Sequence, residues 1–211
     1  MDQKLINRTM KKIDIICILD MSGSMESIID KAREGFNQFL KEQQESKNKI
    51  KFSLLFFDTN FYMPYKNINI KKVKPVNEDT YYAHGGTSLL DAVGFSINSY
   101  LDDLALIPKN KRSDKTLFVI LTDGFENSSK VYHRELIKNM VTEIQEEFKA
   151  SFIYLGANQD ACFEAESMGI NKTNAFNYDA TNNGITVAYA NISKSVNYYA
   201  NNDVKENLFQ Q

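Results

Sequence analysis

The chain alternates between short, nearly continuous apolar runs and stretches in which apolar residues recur every three or four positions. IDIICIL, from Ile13 to Leu19, is the first run, and its lack of alternation predicts a strand buried on both faces. Ile28, Ile29, Ala32, Phe36, Phe39 and Leu40 then follow helical spacing and predict an amphipathic helix. KFSLLFF from Lys51 reads as a second strand, Asp58-Thr59-Asn60 as turn chemistry, and FYMPYKNINI as the returning arm of a hairpin. Pro64 places that arm at a sheet edge, because proline cannot donate to a ladder on both sides. LFVIL from Leu117, FIYL from Phe152 and AFNY from Ala175 are further strands. Helical stripes run from Leu89 to Leu104, from Leu136 to Phe148 and from Ile185 to Tyr199, with a short helix expected between Ala157 and Gly169. Strands alternating with helices predict an α/β fold in three layers, a mostly parallel central sheet with one antiparallel edge strand and helices on both faces.

A length of 211 residues suits one domain, and no repeat, linker or break in composition divides it. The expected layout is an N-terminal extension over 1–12, the domain over 13–200 and a flexible tail over 201–211. Hydrophobic residues at 43% and charged residues at 25% are globular rather than disordered values. A net charge of -2 supplies no global field toward nucleic acid or an anionic membrane, and neither partner is expected. Two basic runs, at Lys71, Lys72 and Lys74 and at Lys109, Lys111 and Arg112, lack interleaved stacking aromatics and read as solvated ends of elements. No segment is long and apolar enough to span a bilayer, and the first twelve residues hold no apolar leader core. Cys17 and Cys162 are too few for a disulfide framework, and with no leader they point to a cytoplasmic protein. The wealth of Asn, Lys and Ile hints at an AT-rich bacterial or phage genome.

ILDMSGSM, from Ile18 to Met25, sets Asp20, Ser22 and Ser24 two residues apart directly after an apolar strand. Capping and turn chemistry would account for that alone. Other strand ends bring more to the same rim, because ligands of open parallel sheets sit beyond the carboxyl ends of the strands. LFVILTDG delivers Asp123 and Gly124, and AHGGTSLLD brings Thr87 behind Gly85 and Gly86. Two acids and three hydroxyls are hard oxygen donors without Cys or His, a set that serves zinc and copper poorly and suits Mg²⁺ or Mn²⁺.

DMSGS, the Thr of GGTSLLDAV and the Asp of LTDG, in that order, resemble the signature of the von Willebrand factor A (vWA) domain family over nearly the whole chain. The nearest resemblance is to small stand-alone intracellular members of bacteria and phages, some of them found near tellurium-resistance genes. It implies a Rossmann-like vWA fold. It also implies that Asp20, Ser22, Ser24, Thr87 and Asp123 form a metal-ion-dependent adhesion site (MIDAS), Ser22 and Ser24 binding the metal directly and the others directly or through water. Gly86, Asp91, Glu126 and Asn158 are candidates to touch a partner or to orient the ligands. The expected function is capture of a partner protein's exposed Glu or Asp through the bound cation, with no catalysis. A Mg²⁺-dependent hydrolase and a scaffold with a vestigial site are the alternatives.

Bland roles compete for several positions. His84 and His133 read as structural, Asp91 as a cap or solvated acid, Glu126 and Asn127 as a solvated helix start, and Asn158 as an N-cap. HGG at His84 is similar to a lipase oxyanion loop, yet the G-x-S-x-G elbow is absent, as are phosphate-binding glycine loops.

Overall fold

The computed structural model describes residues 10–157 and 160–209. Strand β1 (Lys12–Asp20) sends alternate side chains into two different cores. Ile13, Ile15, Cys17 and Leu19 enter one, packed by Phe36 and Phe39 of α1 (Ile29–Gln44) and by Ile185, Tyr189 and Val196 of α5 (Asn182–Asn201). Ile16 and Ile18 enter the other, packed by Val93 and Ile97 of α2 (Leu89–Ala105) and by Ile137 and Val141 of α3 (Arg134–Glu147). Burial on both faces is why the run is apolar throughout and does not alternate.

The remaining strands are β2 (Lys49–Phe57), β3 (Phe61–Asn69), β4 (Lys115–Thr122), β5 (Ala150–Ala157) and β6 (Ala175–Tyr178). They form one six-stranded sheet in the order β3-β2-β1-β4-β5-β6, parallel except for the β2–β3 hairpin. The expected class, a mostly parallel sheet with one antiparallel edge strand and helices on both faces, is the class found. Pro64 lies in β3, the edge strand. Strand order reverses between β1 and its two neighbours, so the crevice between β1 and β4 is the topological switch point.

Two local expectations are corrected. The helix expected from Ala157 begins at Ala161, because β5 runs to Ala157 and Asp160 supplies the cap of α4 (Ala161–Ser167), its carboxylate accepting from the amides of Cys162 and Phe163. Asn158, expected in that role, lies outside the described residues. The segment after α5, expected as a flexible tail, folds back on the body. Leu208 is buried, its amide donates to Asn174 Oδ1 at 3.1 Å, and the Phe209 ring lies 5.5 Å from that of Phe176. Burying two apolar side chains outweighs the entropy of fixing a short segment.

Candidate metal centre

Asp20 ends β1 fully buried, a position that a carboxylate holds only with partners. Its Oδ1 accepts the Ser22 amide at 2.7 Å, and its Oδ2 accepts a short hydrogen bond from Thr122 Oγ1 at the end of β4. The chain then turns into a 3₁₀ turn, Gly23–Ser27, whose N-cap is Ser22. The Ser22 hydroxyl makes no capping bond, and neither does Ser88 at the start of α2. Capping therefore does not explain the serines.

Instead the hydroxyls converge. Ser22 Oγ and Ser24 Oγ are 3.0 Å apart, and Ser24 Oγ donates to Asp123 Oδ1 at 2.6 Å. Gly124 shows that Thr87 belongs to the same cluster. A Cβ there would stand 3.2 Å from both Ser24 Oγ and Thr87 Oγ1 and 4.0 Å from Ser22 Oγ, so glycine keeps the space between the hydroxyls open. All five predicted ligands thus meet at the β1–β4 switch point. Asp20, Ser22, Thr87 and Asp123 form a buried floor, and Ser24 stands exposed at the rim.

Desolvation dominates the electrostatics. Burial pushes the Asp20 carboxyl up to about 6, hydrogen bonds from Ser22 and Thr122 pull it back, and the Asp123 charge adds to the rise. Burial likewise raises Asp123, opposed by the bond from Ser24. The groups acting on Asp20 are hydroxyls, an amide and a second carboxylate, with no protein cation among them.

The surrounding residues hold the floor in place. Asp91, expected as a cap or solvated, is buried; it accepts the amides of Lys130, Val131 and Tyr132 at 2.8, 3.0 and 2.8 Å and pins the loop after β4 to α2. Glu126 is no solvated helix start either. Its carboxylate accepts the amides of Leu90, Ser128 and Ser129, and α3 begins only at Arg134. The side-chain oxygen of Asn127 accepts the Thr87 amide at 2.9 Å, fixing the ligand's backbone. Gly86 donates to Thr59 Oγ1 at 2.8 Å. Gly85 has φ +72, and a Cβ there would meet Asp58 Oδ2 at 2.9 Å, which is why the loop before Thr87 carries glycine. His133 is structural, accepting the Leu136 amide as the N-cap of α3.

Four contributors escaped the sequence reading. Thr122 bonds Asp20, and its place at the end of an apolar strand was a usable signal. Tyr81 and Tyr178 donate from buried hydroxyls to the carbonyls of Asp20 and Thr122, and nothing in their spacing announces it. Asp58, read as turn chemistry, is buried with Oδ2 2.8 Å from His84 Nδ1, an acid paired with that ring.

The donor set fits a small divalent cation. An octahedral ion with oxygens at roughly 2.1 Å separates neighbouring ligands by about 3.0 Å, the spacing of the two serine hydroxyls. Among the described residues no three His, Cys, Asp or Glu side chains group to hold a metal, so any ion here relies on hydroxyls beside its two carboxylates.

Known proteins place the chain in a family. The model of the von Willebrand factor type A domain matches residues 14–191. No curated protein matches the chain. Among solved structures, the vWF domain of the type V pilus tip protein Mfa5 from Porphyromonas gingivalis superposes with a TM-score of 0.63 at 8% identity, covering 93% of this chain and 98% of that one. Proximal thread matrix protein 1 from the mussel byssus, in a structure whose MIDAS motif is occupied by zinc, gives 0.62 at 14% identity over 89% of this chain and 48% of its own. The pilus adhesin SpaC from Lactobacillus rhamnosus GG also gives 0.62 at 14%, over 89% and 30%. The chain thus spans about half of the mussel protein and less of SpaC, and at these identities the likeness is one of fold. With the family model covering most of its length, the chain belongs to the von Willebrand factor type A domain family.

Proposed function

We propose that this domain binds a partner protein through a divalent cation held by Asp20, Ser22, Ser24, Thr87 and Asp123, with an acidic side chain of the partner completing the ion's shell. The observation that carries this reading is the convergence of three hydroxyls and two desolvated carboxylates around the space that Gly124 leaves open. When bound, the cation supplies a Lewis-acidic centre that still accepts an incoming oxygen, because two carboxylates neutralise it formally and hydroxyls add no further charge. The protein's own part is to hold the donors. Thr122 and the Ser22 amide fix Asp20, Asn127 fixes Thr87, and Asp91 and Glu126 fix the loop between them. Protein interaction is common in the family, and the zinc seen in the mussel protein makes zinc a competitor to Mg²⁺ and Mn²⁺ despite the hard donor set. No helix among the described residues is long and apolar enough to cross a membrane.

The test is affinity capture with Mg²⁺, Mn²⁺ or Zn²⁺ present and with EDTA, run alongside Asp20→Ala. Partners retained with metal and lost both on chelation and in the variant support the reading. Partners retained under all conditions point to a scaffold with a vestigial site.

One observation favours a second reading. His84, held by the buried Asp58, has the pairing of a general base, as a metal-assisted hydrolase would need. His84 lines a cleft of about 310 Å³ with Met21, Asp58, Tyr62 and Tyr82.

A further inference from the structure

At the end of the sheet opposite the metal centre, the chain gathers positive charge that the binding function above does not use. A groove of about 800 Å³ lies at the amino ends of β1 and β2 and is lined by Lys12, Lys47, Lys49, Lys51, Lys71 and Lys111. Glu45 is the one acid in that lining. Lys71 and Lys111 come from the two basic runs that read separately as solvated ends; the fold sets them around one concavity, from the 3₁₀ turns after β3 and after α2. All six lysines are exposed, and none is in an ion pair among the described residues.

The register makes this arrangement costly. Lys12 of β1 is paired directly with Lys49 of β2, a like-charge pair, whereas Lys51, two residues on along the same face, is paired with Asp14, whose charge partly offsets its own. Parallel neighbours lie about 4.8 Å apart, and like charges at directly opposed positions destabilise a sheet. A polar neutral residue at either position would keep the strand end solvated without that repulsion. Where local chemistry opposes folding, the gain is sought in binding.

We propose that this groove docks an acidic, partly apolar segment of a protein partner, a second contact surface separate from the metal centre. Charge complementarity selects an anionic occupant. The lining also contains the exposed Met10 and the edges of Ile50 and Ile70, so apolar side chains have a place between the lysines. The lining has no aromatic ring on which a base of single-stranded nucleic acid would stack and no arginine fork for bidentate phosphate recognition. Its concave shape suits a chain segment better than the flat surface of a bilayer.

The test uses the whole chain with EDTA throughout, so that glutamates cannot be captured by the metal centre and the two readings fail separately. A short fluorescein-labelled peptide of glutamates and leucines is titrated by anisotropy at low and at physiological salt. An oligonucleotide and phosphatidylserine vesicles serve as rival probes. Saturable peptide binding that weakens with salt is expected. It should fall at least about fivefold in Lys12→Glu and in Lys71→Glu, and stay unchanged in Lys194→Glu on α5. Lys12→Glu should also raise thermal stability, since it places opposite charges across the Lys49 pair; a merely structural lysine would not lose binding while the fold gains. Should Lys12→Glu misfold, Lys71→Glu, which leaves that pair intact, still decides. Absence of saturable binding by the unaltered chain, equal binding by the groove variants, or tighter binding of the oligonucleotide or vesicles would overturn the proposal.

Discussion

Replacing Asp20 by Asn tests how the metal centre is built. Asn keeps the shape of Asp and removes only the charge. Its Oδ1 can still accept the Ser22 amide, and its Nδ2 can donate to Thr122 Oγ1, whose hydroxyl then turns to the Gly124 carbonyl 3.2 Å away. The charge itself is costly in the metal-free protein. Burial lifts the carboxyl from its ordinary 3.8 to about 6, and about two pKa units correspond to about 3 kcal/mol. A folded-state value above the unfolded one means that the folded chain holds the proton more tightly. Its contribution to stability is complete below about pH 4 and is lost as pH rises through about 6. Metal-free wild type should therefore weaken across that window, while Asp20→Asn should weaken less, retaining the contributions of Asp123 and Asp14, whose carboxyls burial also raises. At pH 7.5 in EDTA the variant should be more stable by up to about 3 kcal/mol, or roughly 5–10 °C in Tm for a chain of this size. At pH 4 the two should nearly coincide. Circular-dichroism melts of both proteins across this range decide it. A variant less stable at pH 7.5, or wild type indifferent to pH between 4 and 6, would refute the assignment of desolvation as the dominant force on Asp20.

Gly124→Ala should fold normally yet lose at least about tenfold in Mn²⁺ affinity by titration calorimetry, because its methyl would enter the space between Ser24 and Thr87. Asp91→Asn should cost about 1–3 kcal/mol in urea unfolding, since three loop amides compete for the single remaining acceptor, and amides 130–132 should exchange faster. Aryl phosphates, aryl esters and nucleoside triphosphates with Mg²⁺ or Mn²⁺ should give no rate above buffer; a rate that vanishes in both Asp20→Ala and His84→Ala would promote His84 to general base.

The sheet and its two helical layers were legible because the central strands β1, β4 and β5 bury both faces and the helices pack a stripe against them, and those constraints leave continuous runs and helical stripes. The convergence of the five candidate ligands was legible because strand ends bring Asp20 and Asp123 to one rim whatever the loops do. What supports them was not. Asp91 and Glu126 look like ordinary helix-start acids in sequence, and only the path of the loop after β4 turns their carboxylates toward its amides. Tyr81 reaches Asp20 across 61 residues, a contact for which no local pattern exists. The segment around Leu208 misled for a similar reason. It is polar on average, and Leu208 seated beside Asn174 and Phe209 against Phe176 decide its course. The lysine groove stayed hidden because its members come from four separate stretches of chain.

The central claim is that the hydroxyl cluster at the β1–β4 switch point holds a divalent cation. Crystals grown with Mn²⁺, measured at the manganese absorption edge, test it without reference to any partner. One strong anomalous peak is expected within direct ligand distance of Ser22 Oγ and Ser24 Oγ, absent from crystals of Asp20→Ala. A cluster without a peak at saturating Mn²⁺, or a peak held by other residues, would contradict it.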